Sequence, residues 1–456
     1  MRSLLRALLL LGPVSLRATL PAQDSDPPRI RAAVDSIAGA ALGSGRVAGV
    51  SIGVVRGKDT LVLKGYGMAD LELEVPTPPR AVYEIASVTK QFTAASILLL
   101  AEQGQLSLDD PLTRYLPNYP MQGHTVTIRR LLDHTSGIAG YTEIPAFETL
   151  MAQRLPRDTL VKLFSSQPFK FAPGDALAYN NSAYFLLGLI IEKVTGGTYA
   201  AFVQKHLFDM FGMPDSRYCD QHDVIKGRVE GYDYSQGRLV PTQYLDHTWP
   251  FAAGSLCSTV WDLVAWSQEL HGGRVLTPAS YRLMTTPAAL NDGTGIRYAM
   301  GLVNDSIGGR LAIHHSGDIN GFQSDLAYFP DDQLTIAVLM NTAGPVSATG
   351  LLRAIAAVVH GREAVPSPVA LDHPLSDYAG TYRGVGVQDS LTVTVLDSAG
   401  IRFRLAPAGP QATAGQYVGN DSFMIGRSRF SFVRSQGKVR ALKADLVTLV
   451  TVLAKR

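Results

Sequence analysis

Apolar strand-like segments stand at both ends of a long stretch of this chain, with helical patterns filling the space between them. Residues 47–55 and 60–65 are rich in β-branched residues, and Arg56-Gly57-Lys58-Asp59 between them is a hairpin turn signal. Residues 310–315 and 334–340 are again apolar strands around a Gly-containing turn region. Between the two pairs, residues 91–103 carry a helical pattern stopped by Gly104, and 183–194 form an apolar helix closed by Gly196-Gly197. Ser258 or Thr259 caps a third helix, with Asp262 in its first turn and an end near Gly272-Gly273. A fourth helix covers residues 29–42. Strands at both ends with helices between them predict an α+β domain.

The pattern changes near residue 365. Ala364-Val365-Pro366-Ser367-Pro368 reads as a linker. Beyond it Leu391, Val393 and Val395 alternate with Thr392 and Thr394, and residues 401–405 and 430–433 repeat the habit. Residues 366–456 therefore form a small antiparallel β domain, barrel- or sandwich-like. The preceding unit spans 23–365. At 46% hydrophobic and 18% charged, the 456 residues exclude disorder and a coiled coil, and a net charge of +2 gives no field for nucleic acid. Arg2 and Arg6 precede a short apolar run, and Leu20-Pro21-Ala22 offers a small residue for cleavage. Residues 1–22 thus read as a secretory signal, with a short membrane anchor as the alternative. The mature protein is expected to be exported, without stable membrane insertion. Cys219 and Cys257 are the only cysteines, and both a bridge and two buried thiols remain open.

Ser87-Val88-Thr89-Lys90 sits where the helix ending at Gly104 begins. Positions i and i+3 share a helical face, so Ser87 Oγ and Lys90 Nζ can meet. A Ser hydroxyl needs a base, and a buried Lys with a lowered pKa is one. The helix N-terminus favours a developing oxyanion. The pattern alone is weak: a chain of this length shows it about once by chance. Ser435-Gln436-Gly437-Lys438 is such a copy, in a β turn. Tyr179-Asn180-Asn181 lies between a Pro-Gly loop and a helix. There Tyr179, as a phenolate, would pass protons, and Asn181 would orient Lys90 or hold a substrate carbonyl. His315-Ser316-Gly317 ends a strand, where Gly317 would admit a substrate backbone. His271-Gly272-Gly273 has the same shape at a helix stop. The ten His show no H-x-x-x-H spacing, so no metal or other cofactor is expected.

Taken together, in this order, these segments resemble the serine β-lactamase and penicillin-binding-protein superfamily. The branch they resemble is that of class C β-lactamases, DD-peptidases, D-aminopeptidases and related esterases. Leu131-Leu132-Asp133-His134-Thr135-Ser136-Gly137 and Ala253-Gly254-Ser255-Leu256-Cys257-Ser258-Thr259 also carry the resemblance. It implies an antiparallel sheet flanked by helices plus an all-helical region, and a serine hydrolase working through an acyl-enzyme. Ser87 would be the nucleophile, Lys90 its base and Tyr179 the proton shuttle. Asn181, His315, Ser316 and Gly317 would bind substrate, and the backbone N–H groups of Ser87 and Asp318 would form the oxyanion hole. The substrate would be a small molecule or peptide: a D-amino-acid peptide or amide, an ester, or a β-lactam. His315 stands where many members carry Lys, and would be half-charged near about pH 6.5. Asp318 would disfavour anionic substrates. His134 reads as a loop residue bracing the site, with a base role as the lesser reading. A non-catalytic protein recognising peptidoglycan or a partner is the rival from another class. Oligomeric state is not legible.

Overall fold

The computed structural model describes residues 26–220, 222–361, 369–384, 390–396, 400–406 and 413–456. The expected signal and the linker lie outside them. Helix α1 (Pro27–Gly43) leads into β1 (Gly49–Arg56), β2 (Asp59–Asp70) and the short β3 (Val75–Pro76). Helices α2 (Thr89–Glu102), α3 (Asn181–Thr195) and α4 (Val260–His271) follow. Then come β4 (Val303–Ile307), β5 (Arg310–Ile319), β6 (Phe322–Phe329), β7 (Leu334–Met340) and α5 (Ala348–His360). The seven strands form one antiparallel sheet in the order β4-β5-β6-β7-β1-β2-β3. β7 returns to pair with β1, Val50 opposite Met340 through Arg56 opposite Leu334. The two ends of the unit thus meet in one sheet.

Period-2 alternation sorts that sheet into two buried faces. Ile336, Val338 and Met340 face a layer containing Ile30 and Val34 of α1 and Leu352 and Ile355 of α5. Ala337 and Leu339 face the larger core with Leu263 and Val264 of α4 and Phe92 of α2. Each fully buried side chain of this kind contributes about 1.5–3 kcal/mol. α2 is buried nearly all round, which is why its apolar residues do not form a single stripe. Its polar side chains are tied off: Thr93 Oγ1 donates to Ala252 C=O at 2.7 Å, and Ser96 Oγ to Phe92 C=O at 2.8 Å.

The C-terminal strands are β8 (Gly380–Gly384), β9 (Ser390–Leu396), β10 (Gly400–Ala406), β11 (Thr413–Tyr417), β12 (Ser422–Ile425), β13 (Ser428–Ser435), β14 (Lys438–Asp445) and β15 (Leu449–Lys455). Each pairs antiparallel with the next, and β15 pairs with β8, Tyr382 opposite Lys455. Of the two expected forms, this is the closed barrel. Tyr378, Tyr382, Phe403, Phe423, Phe430 and Phe432 fill it, with Leu391 and Val393 pointing inward as the alternation predicts. Val395 departs from that pattern: it is exposed at the strand end. Gln436 and Gly437 both take positive φ, so Ser435-Gln436-Gly437-Lys438 is a tight hairpin between β13 and β14. β15 also reaches outside the barrel, pairing with a two-residue strand, Leu177–Ala178.

Candidate active site

The chain enters α2 through a short 3₁₀ turn, Ala86–Val88, that carries Ser87. Ala86 is in the left-handed region at φ 48°, a strained conformation for a residue with a Cβ. β5 presses against this turn. A Cβ on Gly317 would come within 2.4 Å of Ser324 Oγ and 2.5 Å of Ile85 O. Gly317 thus lets backbone approach closely, and the backbone packed there in the structure is that of the nucleophile turn.

One helical turn on, Lys90 Nζ lies 3.0 Å from Ser87 Oγ, 2.8 Å from Asn181 Oδ1 and 2.8 Å from Ala253 O. The Lys90 side chain is fully buried, and burial pushes its pKa well below the ordinary ammonium value. A neutral amine has two N–H donors and one lone pair. In that form, with Asn181 Oδ1 and Ala253 O taking both donors, the lone pair would face the Ser87 hydroxyl. Asn181 is available because its neighbour does the capping: Asn180 Oδ1 accepts from Ala183 N–H at 2.9 Å and closes the first turn of α3.

Tyr179 packs its ring 4.7 Å from Lys90 Nζ. Burial raises the phenol pKa, and the adjacent Ser87 opposes that rise only in part. Tyr179 is therefore a neutral phenol at rest, not the phenolate expected from the sequence. Its hydroxyl oxygen is sealed and has no hydrogen-bond partner of normal geometry. Such an orphan is expensive to bury.

His134 braces this tyrosine. It has a left-handed backbone at φ 60°, its C=O accepts from Ala178 N–H at 3.1 Å, and its Nδ1 accepts from Asn180 N–H at 3.1 Å. Its ring lies 4.4 Å from the rings of both Tyr179 and Tyr298. Burial pushes its pKa well down, and its ring is wedged against the two tyrosine rings.

His315 differs from expectation. It is 4% exposed, its Nδ1–H donates to the Ser316 carbonyl at 2.6 Å, and its Nε2 accepts from Tyr298 Oη at 2.9 Å. Burial, with Lys90 nearby, drives its pKa down to about 3. The ring is neutral, so the half-charged group expected there is not present. Ser316, beside it, is partly exposed. Tyr298, which anchors His315, carries no sequence signal and was not anticipated.

Ser87, Asn181 and Asp318 line one open cleft of about 430 Å³, with Tyr141, Phe147 and Leu245. This places both expected oxyanion-hole residues on one cavity. Glu148, Asp233 and Asp318 also line it, with no Lys or Arg among its described lining residues. Burial and the neighbouring Asp233 raise the Asp318 pKa. Cys219 and Cys257 form a disulfide, both fully buried. It staples the strand Leu256–Ser258, whose Leu256 C=O accepts from Ile85 N–H at 3.0 Å, just before the nucleophile turn.

Residues 34–360 match the family model Beta-lactamase. The chain belongs to the beta-lactamase family, within the serine β-lactamase and penicillin-binding-protein superfamily. A curated member, Penicillin-binding protein 4* of Bacillus subtilis (strain 168), is 30% identical over 305 residues, covering 62% of this chain and 66% of that protein. Protein flp of Staphylococcus aureus (strain MW2) is 28% identical, covering 68% of this chain and 62% of that one. The chain thus spans less than two thirds of the length of these curated relatives. Among solved structures, a D-stereospecific amidohydrolase from Streptomyces sp. superposes with a TM-score of 0.62 at 26% identity, over 72% of this chain and 98% of that one. The octameric penicillin-binding protein homologue from Pyrococcus abyssi gives 0.65 at 25% identity, over 93% and 98%. That coverage takes in the barrel as well as the family domain.

Proposed function

We propose that the protein is an exported serine hydrolase that works through an acyl-enzyme on an amide or ester whose acyl part is neutral or cationic, such as a D-amino-acid amide or peptide. One observation carries this reading. Lys90 is fully buried, its Nζ lies 3.0 Å from Ser87 Oγ and 2.8 Å from both Asn181 Oδ1 and Ala253 O, and burial pushes its pKa well down. Lys90 takes the Ser87 proton as Oγ bonds to the substrate carbonyl carbon. The carbonyl oxygen gains charge, and the amides of Ser87 and Asp318 are the donors for it. The C–N or C–O bond then breaks, the leaving group takes the Tyr179 proton, and Lys90 returns its proton to the phenolate. Water attacks the acyl carbon by the same path in reverse, and Ser87 regains its hydrogen.

The acidic cleft supports the substrate class, since three carboxyl side chains and no basic one line it among the described residues. A β-lactam carries a carboxylate, which this lining disfavours, so β-lactam turnover is at most a side activity. The Cys219–Cys257 bridge supports export, because such bridges persist in oxidising compartments.

The test is a panel of a D-amino-acid amide, a D-Ala-D-Ala peptide, a short ester and a β-lactam, run on wild type and Ser87→Ala. Acylation is followed by intact mass. The expected result is Ser87-dependent turnover of the amide or ester, with little on the β-lactam. No adduct and no turnover across the panel would leave the peptidoglycan- or partner-binding reading in front.

A further inference from the structure

The turn at residues 445–450, joining β14 to β15, grips the family domain on two flanks of the reaction centre. On one flank β15 adds to the strand that delivers Tyr179: Leu449 pairs with Ala178 and Val450 with Leu177. One residue on, Tyr179 N–H donates to Thr448 C=O at 2.8 Å. Val447 and Val450 pack in one apolar cluster with Leu177, Tyr179 and Tyr298. On the other flank both Asp445 oxygens accept from the Arg297 guanidinium, each at 2.8 Å. This is the forked geometry that gives a carboxylate–Arg pair direction as well as strength. Arg297 immediately precedes Tyr298, the anchor of His315. Asp445 Oδ1 also accepts from Val447 N–H at 2.9 Å, so one carboxylate both shapes the turn and clamps it. Val447 has φ 72°, an outlier for a β-branched residue. Such a conformation persists only where the surroundings over-determine it.

Ser87 and Lys90 are held by their own helix. Tyr179 lies on no helix, two residues before the start of α3. Its place depends on backbone contacts: His134 holds the residues on either side of it, and the turn holds Tyr179 itself.

We infer that this turn of the C-terminal barrel is a positioning element of the active site, with Asp445 and Val447 holding Tyr179 where it protonates the leaving group. The inference rests on the hydrolase reading above and adds a role for the barrel. Its signature is selective. An amine leaves only if protonated, whereas p-nitrophenolate leaves unaided, so a displaced Tyr179 harms amide cleavage more than activated-ester cleavage.

The experiment uses full-length Asp445→Ala and Val447→Asn, since Asn accepts the left-handed backbone. Each is assayed on an amide and a p-nitrophenyl ester of the same acyl group, beside Tyr179→Phe as reference. Thermal unfolding of each variant accompanies the assay. The expected result is a fall in the amide-to-ester kcat ratio of about tenfold or more, in the direction set by Tyr179→Phe, with KM changed by less than about twofold. Equal losses on both substrates, or no loss on either, would overturn the inference. If Asp445→Ala does not fold, Val447→Asn decides on the same ratio. Failure of the underlying reading looks different: wild type then turns over neither substrate and Ser87 takes no acyl group, and the inference falls with it.

Discussion

The chain carries the same four-residue pattern twice, in two regions that treat it in opposite ways. Ser87 and Lys90 lie at the entry of a buried helix. Lys90 has no exposed surface, and two of its three contacts, Asn181 and Ala253, are placed by other segments. Ser435 and Lys438 flank a two-residue hairpin at the barrel surface, and both are exposed. The exposed Lys438 side chain keeps its water shell, whereas burial strips it from Lys90 and pushes that pKa well down. The pattern supplies the atoms. The surroundings supply the chemistry, through desolvation and through acceptors that leave one lone pair free.

The sharpest way to break that comparison is to remove both lysines. Lys90→Met should lower kcat/KM by about 10³-fold or more, and Lys438→Met should stay within about twofold. Comparable losses at the two positions would mean that burial is not what selects the site.

A second comparison sets His315 against His271. His315 is buried and His271 half-buried, and desolvation brings both pKa values to about 3. His271 is nonetheless remote in role: it stacks on Tyr328 at 4.0 Å, and its Nδ1 lies 2.9 Å from Tyr281 Oη. The linkage is the same for both. Between about pH 6.5 and about 3 the unfolded chain binds a proton that the folded one refuses, so stability falls as pH falls across that window. Each group contributes a slope of up to about 1.4 kcal/mol per pH unit there. His315→Asn and His271→Asn should each flatten the acid limb of stability, read by urea unfolding at neutral pH and near pH 4. Only His315→Asn should also lower kcat, by about tenfold, because only that ring is held by Tyr298 beside Tyr179. An unchanged kcat would make His315 as structural as His271.

The smallest effect concerns charge in the cleft. Asp318→Asn should raise kcat/KM for an anionic ester relative to a neutral one by a few-fold, on the order of 1 kcal/mol for one partly exposed charge. An equal change on both substrates would remove the acidic lining from the account of specificity.

The ends of the fold were legible in the sequence because their signals are local. Thr259 caps α4 where a capping residue was expected, Gly196 closes α3 in the left-handed region, and β7 runs over Leu334–Met340 as expected. Ser87, Lys90 and Asn181 were legible for the same reason, each lying at a helix start. What stayed hidden depends on distant segments. Asn180 and Asn181 are identical side chains, and only the turn Phe251–Ala253 arriving at Lys90 shows which one caps and which one orients. The neutral state of His315 and the protonated state of Tyr179 follow from burial, which a motif does not display. Tyr298 and the 445–450 turn carry no pattern at all. They matter because β4, β5 and β15 bring them to one place.

The strand addition between β15 and Leu177–Ala178 also sets an order of assembly. The acceptor for the Tyr179 amide is Thr448, which is synthesised well after Tyr179 itself. Ser87, Lys90 and Asn181 can meet as soon as α2, α3 and the Phe251–Ala253 turn have packed. Tyr179 must wait for β15. A chain interrupted or clipped before β15 would then bring Ser87 and Lys90 together while leaving Tyr179 unseated.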